Sequence, residues 1–216
     1  MHFFSVPSTI QRLVPSCTWR RVGPGKMIYL TFDDGPHPEI TPWVIDVLAQ
    51  FNVKATFFCV GDNLKKYPEI AKNLLKEGHQ IGNHTMHHIK GWRNRNAKYL
   101  NDIETCENEI QAIKNQISLS EKPNRLLFRP PYGQIKPSQI SLIRSKGYEI
   151  IQWSDLSCDY DPRLDCNKSL KALVKNVKPG SIVVFHDSAK AEKQLKFILP
   201  QYLNALSKAG YTFDTL

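Results

Sequence analysis

Short apolar runs alternate with amphipathic segments along most of this chain. Seven runs have the length and apolar character of buried β-strands, and segments with helical spacing of apolar residues lie between them. Regular strand–helix alternation predicts a parallel α/β sheet whose strands are covered by helices. The predicted strands span residues 27–32, 55–60, 79–83, 126–128, 148–153, 182–185 and 211–215.

Proline and glycine mark several of the predicted helix boundaries. Thr41 and Pro42 are typical of an N-cap and a first helical position, and Pro68 and Gly78 bound the next helix. Pro200 is expected to kink or restart the last helix. The remaining helices are predicted over residues 97–117, 137–147, 170–177 and 195–206.

The domain organisation follows from length and pattern. Residues 1–26 show no clear period and are predicted to be an irregular lead-in. A chain of 216 residues is long enough to bury a sizeable core and suits one domain. No repeat, low-complexity tract or linker indicates a second one, so residues 27–216 are predicted to fold as a single domain.

Polar and ionisable residues follow several of the predicted strands directly. Parallel α/β proteins place their sites at the carboxyl ends of strands. An open sheet would hardly bring the ends of the first, third, fourth and sixth strands together, so a distorted (β/α)7 barrel is favoured over a doubly wound sheet. The residues at these strand ends are Asp33, Asp34, His84, His87, His88, Arg129, Pro130, Pro131, Tyr132, Asp155, Asp159, His186 and Asp187.

The adjacent carboxylates of Asp33 and Asp34 end the first apolar run. Buried charge is costly unless it is paired or bound to a metal. Side chains of neighbouring strand residues point to opposite faces, so the two can share one site only if the chain bends there, and Gly35-Pro36 favours a bend. The alternative is a solvated turn, for which Asp-Gly is common.

Three of the seven histidines lie within five residues, at His84, His87 and His88. His84 and His88 are four apart, and on a helical turn such residues lie on one side and can bind one metal. Neutral imidazole suits zinc, cobalt, nickel or iron, and two histidines with one carboxylate form a catalytic pattern that leaves positions open for water. Asp34 or Asp33 would supply the carboxylate. The alternative is a polar surface loop.

Arg129 and His186 each have a functional and a structural interpretation. An arginine beside two aspartates would keep a carboxylate ionised, whereas the Arg129-Pro130-Pro131-Tyr132 segment alone is also compatible with a stiff turn. His186 follows an apolar strand, where a histidine is either catalytic or bonded to a backbone carbonyl in the core.

The formal net charge of +9 is compatible with nucleic acid, an anionic membrane or an acidic polymer such as cell wall as a partner. The lysines are scattered and form no basic, aromatic-interleaved cluster, so a lysine-rich solvated surface is favoured and no nucleic-acid partner is predicted. No apolar run is long enough to span a membrane.

The cysteines and residues 1–20 indicate the cellular compartment of the protein. Five cysteines without a C-x-x-C pair predict reduced, mostly buried thiols. Residues 1–20 lack the basic head and continuous apolar core of a signal peptide, because Pro7 and Pro15 interrupt them. The sequence as given therefore predicts a cytoplasmic protein, and a preceding leader would make it extracytoplasmic.

Together these motifs resemble the polysaccharide deacetylase family, the NodB-homology domain of carbohydrate esterase family 4. The resemblance covers about residues 26–216 and rests on four short motifs in the family's order. It implies a deacetylase-like catalytic domain in which Asp33 is the general base and His186 the general acid, and in which Arg129 orients and tunes Asp33. It also implies that Asp34, His84 and His88 bind one divalent metal, most often zinc, with cobalt or nickel as alternatives.

The same resemblance implies the substrate contacts. The backbone amide of Tyr132 would help to stabilise an oxyanion, and Val184, Pro131 and Tyr132 would line the pocket for the acetyl group. His87 matches no ligand position and is interpreted as a loop residue or a substrate contact.

One motif departs from the family pattern after the fifth strand. Leu156 stands where an aspartate that supports the acidic histidine is expected. Tyr160 stands in place of the second tryptophan of the family motif. The task of that aspartate could pass to Asp155 or Asp159, or be missing.

The implied function is metal-dependent hydrolysis of N-acetyl groups on a glycan or amino sugar, such as a chitin oligomer or a peptidoglycan-like substrate. Alternatives are an O-acetyl esterase on a polysaccharide such as xylan, and a non-catalytic carbohydrate-binding barrel. The weakened motif after the fifth strand keeps the esterase open, because an alkoxide leaves more readily than an amine.

Overall fold

The computed structural model of the protein describes residues 2–117 and 125–216. Eight strands form one sheet within the described residues, and every ladder between them is parallel. The strands are β1 (Met27–Asp33), β2 (Thr56–Cys59), β3 (Gln80–Asn83), β4 (Leu126–Phe128), β5 (Tyr148–Ile150), β6 (Asp155–Leu156), β7 (Ile182–His186) and β8 (Thr212–Asp214).

The sheet is curved into a distorted (β/α)7 barrel, as the sequence predicts. Its strand order is β5-β4-β3-β2-β1-β7-β6, and β8 pairs with the first residues of β1. The central strand β1 is almost entirely buried because it reads Met-Ile-Tyr-Leu-Thr-Phe-Asp, a run with apolar side chains on both faces. The described strands do not close the circle, since no ladder joins β5 to β6.

Helices cover the outside of the sheet. The largest apolar cluster lies between β1, β2 and β7 and the helices that follow them, and it includes Phe32, Phe57, Phe185 and Leu199. The helices are α1 (Ser8–Leu13), α2 (Ile40–Gln50), α3 (Gly61–Lys66), α4 (Pro68–Lys76), α5 (Asn96–Lys114), α6 (Pro137–Ser145), α7 (Cys166–Asn176) and α8 (Glu192–Lys208), with 3-10 turns at Gly91–Arg93 and Pro131–Gly133.

The N-terminal segment is more ordered than the sequence suggests. It contains α1 and hydrogen-bonds to both ends of the strand path: the Thr18 N–H donates to the Ile150 carbonyl over 2.8 Å, and the Val6 N–H donates to the Ser154 carbonyl over 2.8 Å. These bonds satisfy backbone groups that the missing β5–β6 ladder leaves open. The prediction of an irregular lead-in is therefore wrong for residues 8–13.

Several other boundaries differ from the predictions. Helix α2 begins one residue before Thr41, whose side chain is used elsewhere, so Thr41 is not the N-cap. Helix α8 runs unbroken through Pro200, so the expected restart does not occur. Strand β5 ends at Ile150, and the predicted acidic loop contains the short strand β6. Residues 118–124, which follow the predicted long helix, lie outside the described residues.

All five cysteines are free, and four of them are buried. Within residues 2–117 and 125–216, no helix combines the length and apolar character needed to cross a membrane.

Candidate active site

The strand register brings the candidate site residues to one end of the barrel. Asp33 at the end of β1 is the register partner of His186 at the end of β7. On the other side, Asn83 at the end of β3 pairs with Phe128 at the end of β4, so His84 and Arg129 leave neighbouring strands together. The carboxyl ends of four strands thus deliver the predicted residues to one place.

Asp34, His84 and His88 form the candidate metal centre. Each offers one ligand atom, and the three atoms lie within 4.8 Å of one another. The Asp34 Oδ1 atom lies 3.2 Å from His88 Nε2 and 3.7 Å from His84 Nε2. The backbone leaves the strand conformation at Asp34, which has φ of 80°, so this carboxylate does not follow the pleat set by Asp33. The predicted bend is confirmed.

The protonation states of Asp34 and His84 suit a metal. Burial lowers the pKa of His84 to about 4, so its imidazole is neutral at pH 7. Burial opposes ionisation of Asp34, but the hydrogen bond from His88 and the charges of His186 and His84 outweigh it and hold the pKa of Asp34 well below its usual range. An ionised carboxylate and a neutral imidazole are the forms that bind divalent cations.

His84 is also oriented as a ligand would be. Its Nδ1–H donates to the Arg129 carbonyl oxygen over 2.8 Å, which directs Nε2 towards Asp34. Metal-binding histidines usually donate their second ring N–H in this way. The donor set of one carboxylate and two imidazoles therefore fits a divalent transition metal such as zinc.

The two histidines meet by a different local conformation from the predicted helical turn. Thr85 and His88 both have positive φ values, of 66° and 51°, so residues 84–88 form an irregular loop. Buried Asp102 of α5 accepts hydrogen bonds from the N–H groups of Met86 and His87 over 2.8 and 3.1 Å. This aspartate shapes the ligand loop, and its mid-helix position offers no sequence signal for that role.

Asp33 is buried beside the candidate metal centre and is paired with Arg129. The Arg129 Nη1 group donates to Asp33 Oδ1 over 2.7 Å and to the Thr31 hydroxyl over 2.7 Å. The guanidinium has no exposed surface and lies 4.1 Å from the centroid of the Phe58 ring. Charge pairing in a dry environment orients the Asp33 carboxylate rigidly.

His186 is held by Asp159, which decides between the alternatives left by the sequence. Its Nδ1–H donates to Asp159 Oδ1 over 2.7 Å, and its backbone N–H donates to Asp159 Oδ2 over 2.9 Å. Burial alone would lower the pKa of His186, but the charge and hydrogen bond of Asp159 outweigh it, and the pKa rises to about 9. His186 is therefore an imidazolium at neutral pH, with Nε2–H left free to donate.

The Asp155 side chain bonds to Ser154 rather than to His186. Its Oδ2 atom accepts a hydrogen bond from the Ser154 hydroxyl over 2.7 Å and lies 3.8 Å from Arg20 Nη2. The next residue, Leu156, occupies the last position of β6 opposite Val184. Cys158 has φ of 60°, and the chain turns there so that the following Asp159 faces His186.

The predicted substrate contacts differ in exposure. The Tyr132 side chain is 56% exposed, and its ring centroid lies 4.7 Å from that of His88, so it borders the candidate metal centre. Pro131 is buried at the start of the same 3-10 turn. Val184 lies two residues before His186 and is 1% exposed. The roles of these three residues in binding an acetyl group stay predictions.

His87 does not join the three ligand atoms. Its Nδ1 atom lies 2.8 Å from Asp62 Oδ2 at the surface, and the ring is largely exposed. Within the described residues it makes no contact with the candidate metal centre, and its interpretation as a loop residue or a substrate contact stays a prediction.

Asp187 supports the turn that carries Asp33 and Asp34, a role not found from the sequence. Its side chain accepts hydrogen bonds from the Gly35 N–H over 3.1 Å and from the Thr41 hydroxyl over 2.5 Å. Burial raises the pKa of Asp187 to about 8, a rise opposed by the Thr41 bond. A β-carbon at position 35 would overlap this carboxylate, so the turn requires glycine there.

Thr41→Val is expected to lower the free energy of unfolding by about 1–3 kcal/mol, because it leaves a buried carboxyl oxygen without its donor. Chemical denaturation with a fluorescence readout measures the change. Thr41→Ser keeps the hydroxyl and is the matched control, with a smaller loss expected from the missing methyl group. Equal losses in the two variants would show that packing, not the hydrogen bond, is what Thr41 contributes.

Comparisons with known proteins agree on one family. A family model described as polysaccharide deacetylase matches residues 20–151, more than half of the chain. A peptidoglycan-N-acetylglucosamine deacetylase of Bacillus cereus is 37% identical over 203 residues, covering 92% of this chain and 90% of that protein. A chitooligosaccharide deacetylase of Azorhizobium caulinodans is 34% identical over 170 residues, covering 77% and 76%.

A solved structure agrees as well. The crystal structure of a peptidoglycan N-acetylglucosamine deacetylase in complex with 4-naphthalen-1-yl-N-oxidanyl-benzamide superposes with a TM-score of 0.84 at 31% identity, covering 95% of this chain and 94% of the other. The chain therefore belongs to the polysaccharide deacetylase family, carbohydrate esterase family 4, and the resemblance found in the sequence is confirmed.

Proposed function

We propose that this protein is a metal-dependent deacetylase that hydrolyses N-acetyl groups of an amino-sugar polymer or oligomer. The observation that carries the proposal is that a carboxylate–histidine cluster, a buried Asp33–Arg129 pair and an imidazolium held by Asp159 lie at the same end of the barrel. A base, a cation site and an acid in one place are what amide hydrolysis requires. The names of the relatives support the acetylated-glycan substrate.

Asp34, His84 and His88 would hold the cation. When bound, a divalent metal supplies Lewis acidity, which lowers the pKa of water and polarises a carbonyl oxygen. Zinc fits the donor set best, and cobalt or nickel would also fit it.

Residues of the protein would carry out the proton transfers. Asp33, oriented by Arg129, takes a proton from the attacking water as general base. The backbone N–H of Tyr132 donates to the oxyanion that develops at the acetyl carbonyl oxygen when water adds to the carbonyl carbon. His186 donates the proton on Nε2 to the leaving nitrogen, which must become an amine to depart.

Among the alternatives, hydrolysis of an amide is favoured over that of an O-acetyl ester. An alkoxide leaves with little help, so an esterase has less need of a strongly basic histidine. The hydrogen bond that His186 donates to Asp159 raises the pKa of His186, and this supports hydrolysis of the amide. A non-catalytic carbohydrate-binding barrel would have no use for a complete set of base, cation ligands and acid.

Acetate release from N-acetylglucosamine oligomers tests the proposal. Protein stripped with a chelator is expected to be inactive, and zinc or cobalt should restore the activity. Elemental analysis of the purified protein should find close to one divalent ion per chain. Rates on an O-acetylated xylan, measured in parallel, separate the amidase from the esterase. No acetate from any N-acetyl or O-acetyl sugar in metal-replete protein would overturn the proposal.

A further inference from the structure

Two lysines flank the candidate active site, and each lies over a tyrosine ring. Lys90 Nζ lies 4.4 Å from the centroid of the Tyr132 ring, and Lys190 Nζ lies 5.7 Å from the centroid of the Tyr160 ring. Each ammonium group is therefore a positive charge placed on an aromatic face.

The same two rings border the catalytic residues. The Tyr132 ring centroid lies 4.7 Å from that of His88, and the Tyr160 ring centroid lies 5.2 Å from that of His186 in a T-shaped arrangement. One lysine thus lies a single ring away from a candidate metal ligand, and the other lies a single ring away from the general acid.

Neither ammonium group is paired with a carboxylate of the described residues. Throughout the part of the chain that the structure describes, Lys90 and Lys190 form no ion pair with a carboxylate. Arg163, which lies near Lys190, does form one, because its Nε lies 3.3 Å from Asp161 Oδ1. The two lysines therefore carry uncompensated charge at the site.

Lys190 lines a surface cleft together with Tyr160. Tyr160, Asp161, Pro162, Arg163 and Lys190 line a space of about 340 Å³. This volume lies within the range of small-molecule sites, about 300–1,000 Å³. The Asp161–Arg163 pair is internally neutral, so Lys190 determines the charge of the cleft, and the Tyr160 ring provides an apolar wall beside it.

We propose that Lys90 and Lys190 are specificity-determining residues that bind acidic substituents on the sugars next to the one that is deacetylated. This rests on the proposed function and narrows its substrate class to glycans that carry carboxylates. The tyrosine rings would contact the apolar faces of the sugars while they hold the lysine side chains in place. A side chain ordered before binding loses less conformational entropy when an ion pair forms.

A neutral polymer would not use this arrangement. Chitin oligomers carry no group that attracts an ammonium, so the two lysines would contribute nothing to their recognition beyond contact. A strand that alternates N-acetylglucosamine with N-acetylmuramic acid presents a lactyl carboxylate on every second sugar, on either side of an N-acetylglucosamine.

The test compares kcat/KM for acetate release from two tetrasaccharides of equal length, one of N-acetylglucosamine alone and one that alternates with N-acetylmuramic acid. The wild-type protein is expected to prefer the acidic tetrasaccharide. Lys90→Gln or Lys190→Gln should each reduce the acidic-to-neutral ratio by roughly two- to fivefold, and the double variant by about tenfold, as expected for partly exposed ion pairs. The wild-type preference should also weaken between about 0.05 M and about 0.5 M salt.

Lys208→Gln is the matched control. Lys208 is exposed in the last turn of α8, at the opposite end of that helix from Lys190, roughly 25 Å away by helix length. It removes the same charge from the protein without touching the site, and the ratio should stay at the wild-type value.

The outcomes separate this inference from the proposed function. Turnover of the neutral tetrasaccharide without preference for the acidic one overturns the inference and leaves the deacetylase in place. An equal fall of the ratio in Lys208→Gln also overturns it, because net charge alone would then explain the preference. No acetate from either tetrasaccharide overturns the inference, and the proposed function falls as well only if no other N-acetyl or O-acetyl sugar releases acetate.

Discussion

Asp33→Asn is expected to retain the bound metal and to lose about 10²–10⁴-fold in kcat, the usual contribution of a positioned general base. The three ligand atoms of the candidate metal centre come from Asp34, His84 and His88, and Asp33 is not among them. Its carboxylate instead accepts a hydrogen bond from Arg129 Nη1. An amide at position 33 keeps an oxygen that can accept from Arg129, so the buried guanidinium does not lose its partner altogether.

His84→Ala provides the contrast. It removes a ligand atom, so both the metal and the activity should be lost. The measurements are elemental analysis after desalting, acetate release at saturating substrate, and thermal unfolding to show that each variant is folded. Asp46→Asn, which changes an exposed aspartate on α2, is the control for the loss of one negative charge. Equal loss of metal in Asp33→Asn and His84→Ala would mean that the roles of Asp33 and Asp34 are reversed.

Asp159→Asn is expected to shift the alkaline limb of the pH–rate profile towards lower pH and to reduce kcat at neutral pH by roughly 10–100-fold. The general acid must be protonated, so the rate falls as pH rises through the pKa of His186. In the wild-type protein that pKa is raised to about 9, chiefly by Asp159 acting against burial. Without that carboxylate the pKa of His186 falls below about 9, because burial is then opposed only by the charges of Asp34 and Asp33.

Asp155→Asn is the matched control, because Asp155 is the other aspartate to which the sequence could assign this task. Its side chain bonds to Ser154 and does not contact His186, so the alkaline limb should stay in place. The profile of kcat against pH, measured with metal-saturated protein, distinguishes the two. A shift in Asp155→Asn together with an unchanged Asp159→Asn would refute the assignment made from the structure.

Strands and helices with a continuous apolar signal were predictable from the sequence. The predicted bounds of β4 agree with the structure, and β1 and β7 each extend one residue further, because buried parallel strands appear as unbroken apolar runs. The two-residue strand β6 and the short helix α1 were not found, since elements of two and six residues have too few positions to show a period. Their place is set by hydrogen bonds to distant parts of the chain.

The candidate site likewise has features that the sequence predicts and features that it does not. The histidine pair, the adjacent aspartates and Arg129 all lie just after apolar runs, so their clustering followed from strand position and the parallel topology. The support given by Asp187 to the 33–35 turn, and by Asp102 to the ligand loop, joins residues that lie far apart in sequence. No local pattern encodes such contacts.

The alternation of apolar runs and helical segments along the chain determined the barrel. It also determined the strand ends at which polar and ionisable residues cluster, and the residue types available there. The tertiary structure decided which of those residues act together. It separated Asp34 from Asp33 through a left-handed bend and chose Asp159 over Asp155 through a turn at Cys158. The physical reason is that apolar periodicity reports burial along one element, whereas the direction of a polar side chain depends on backbone turns and strand register set by the whole fold.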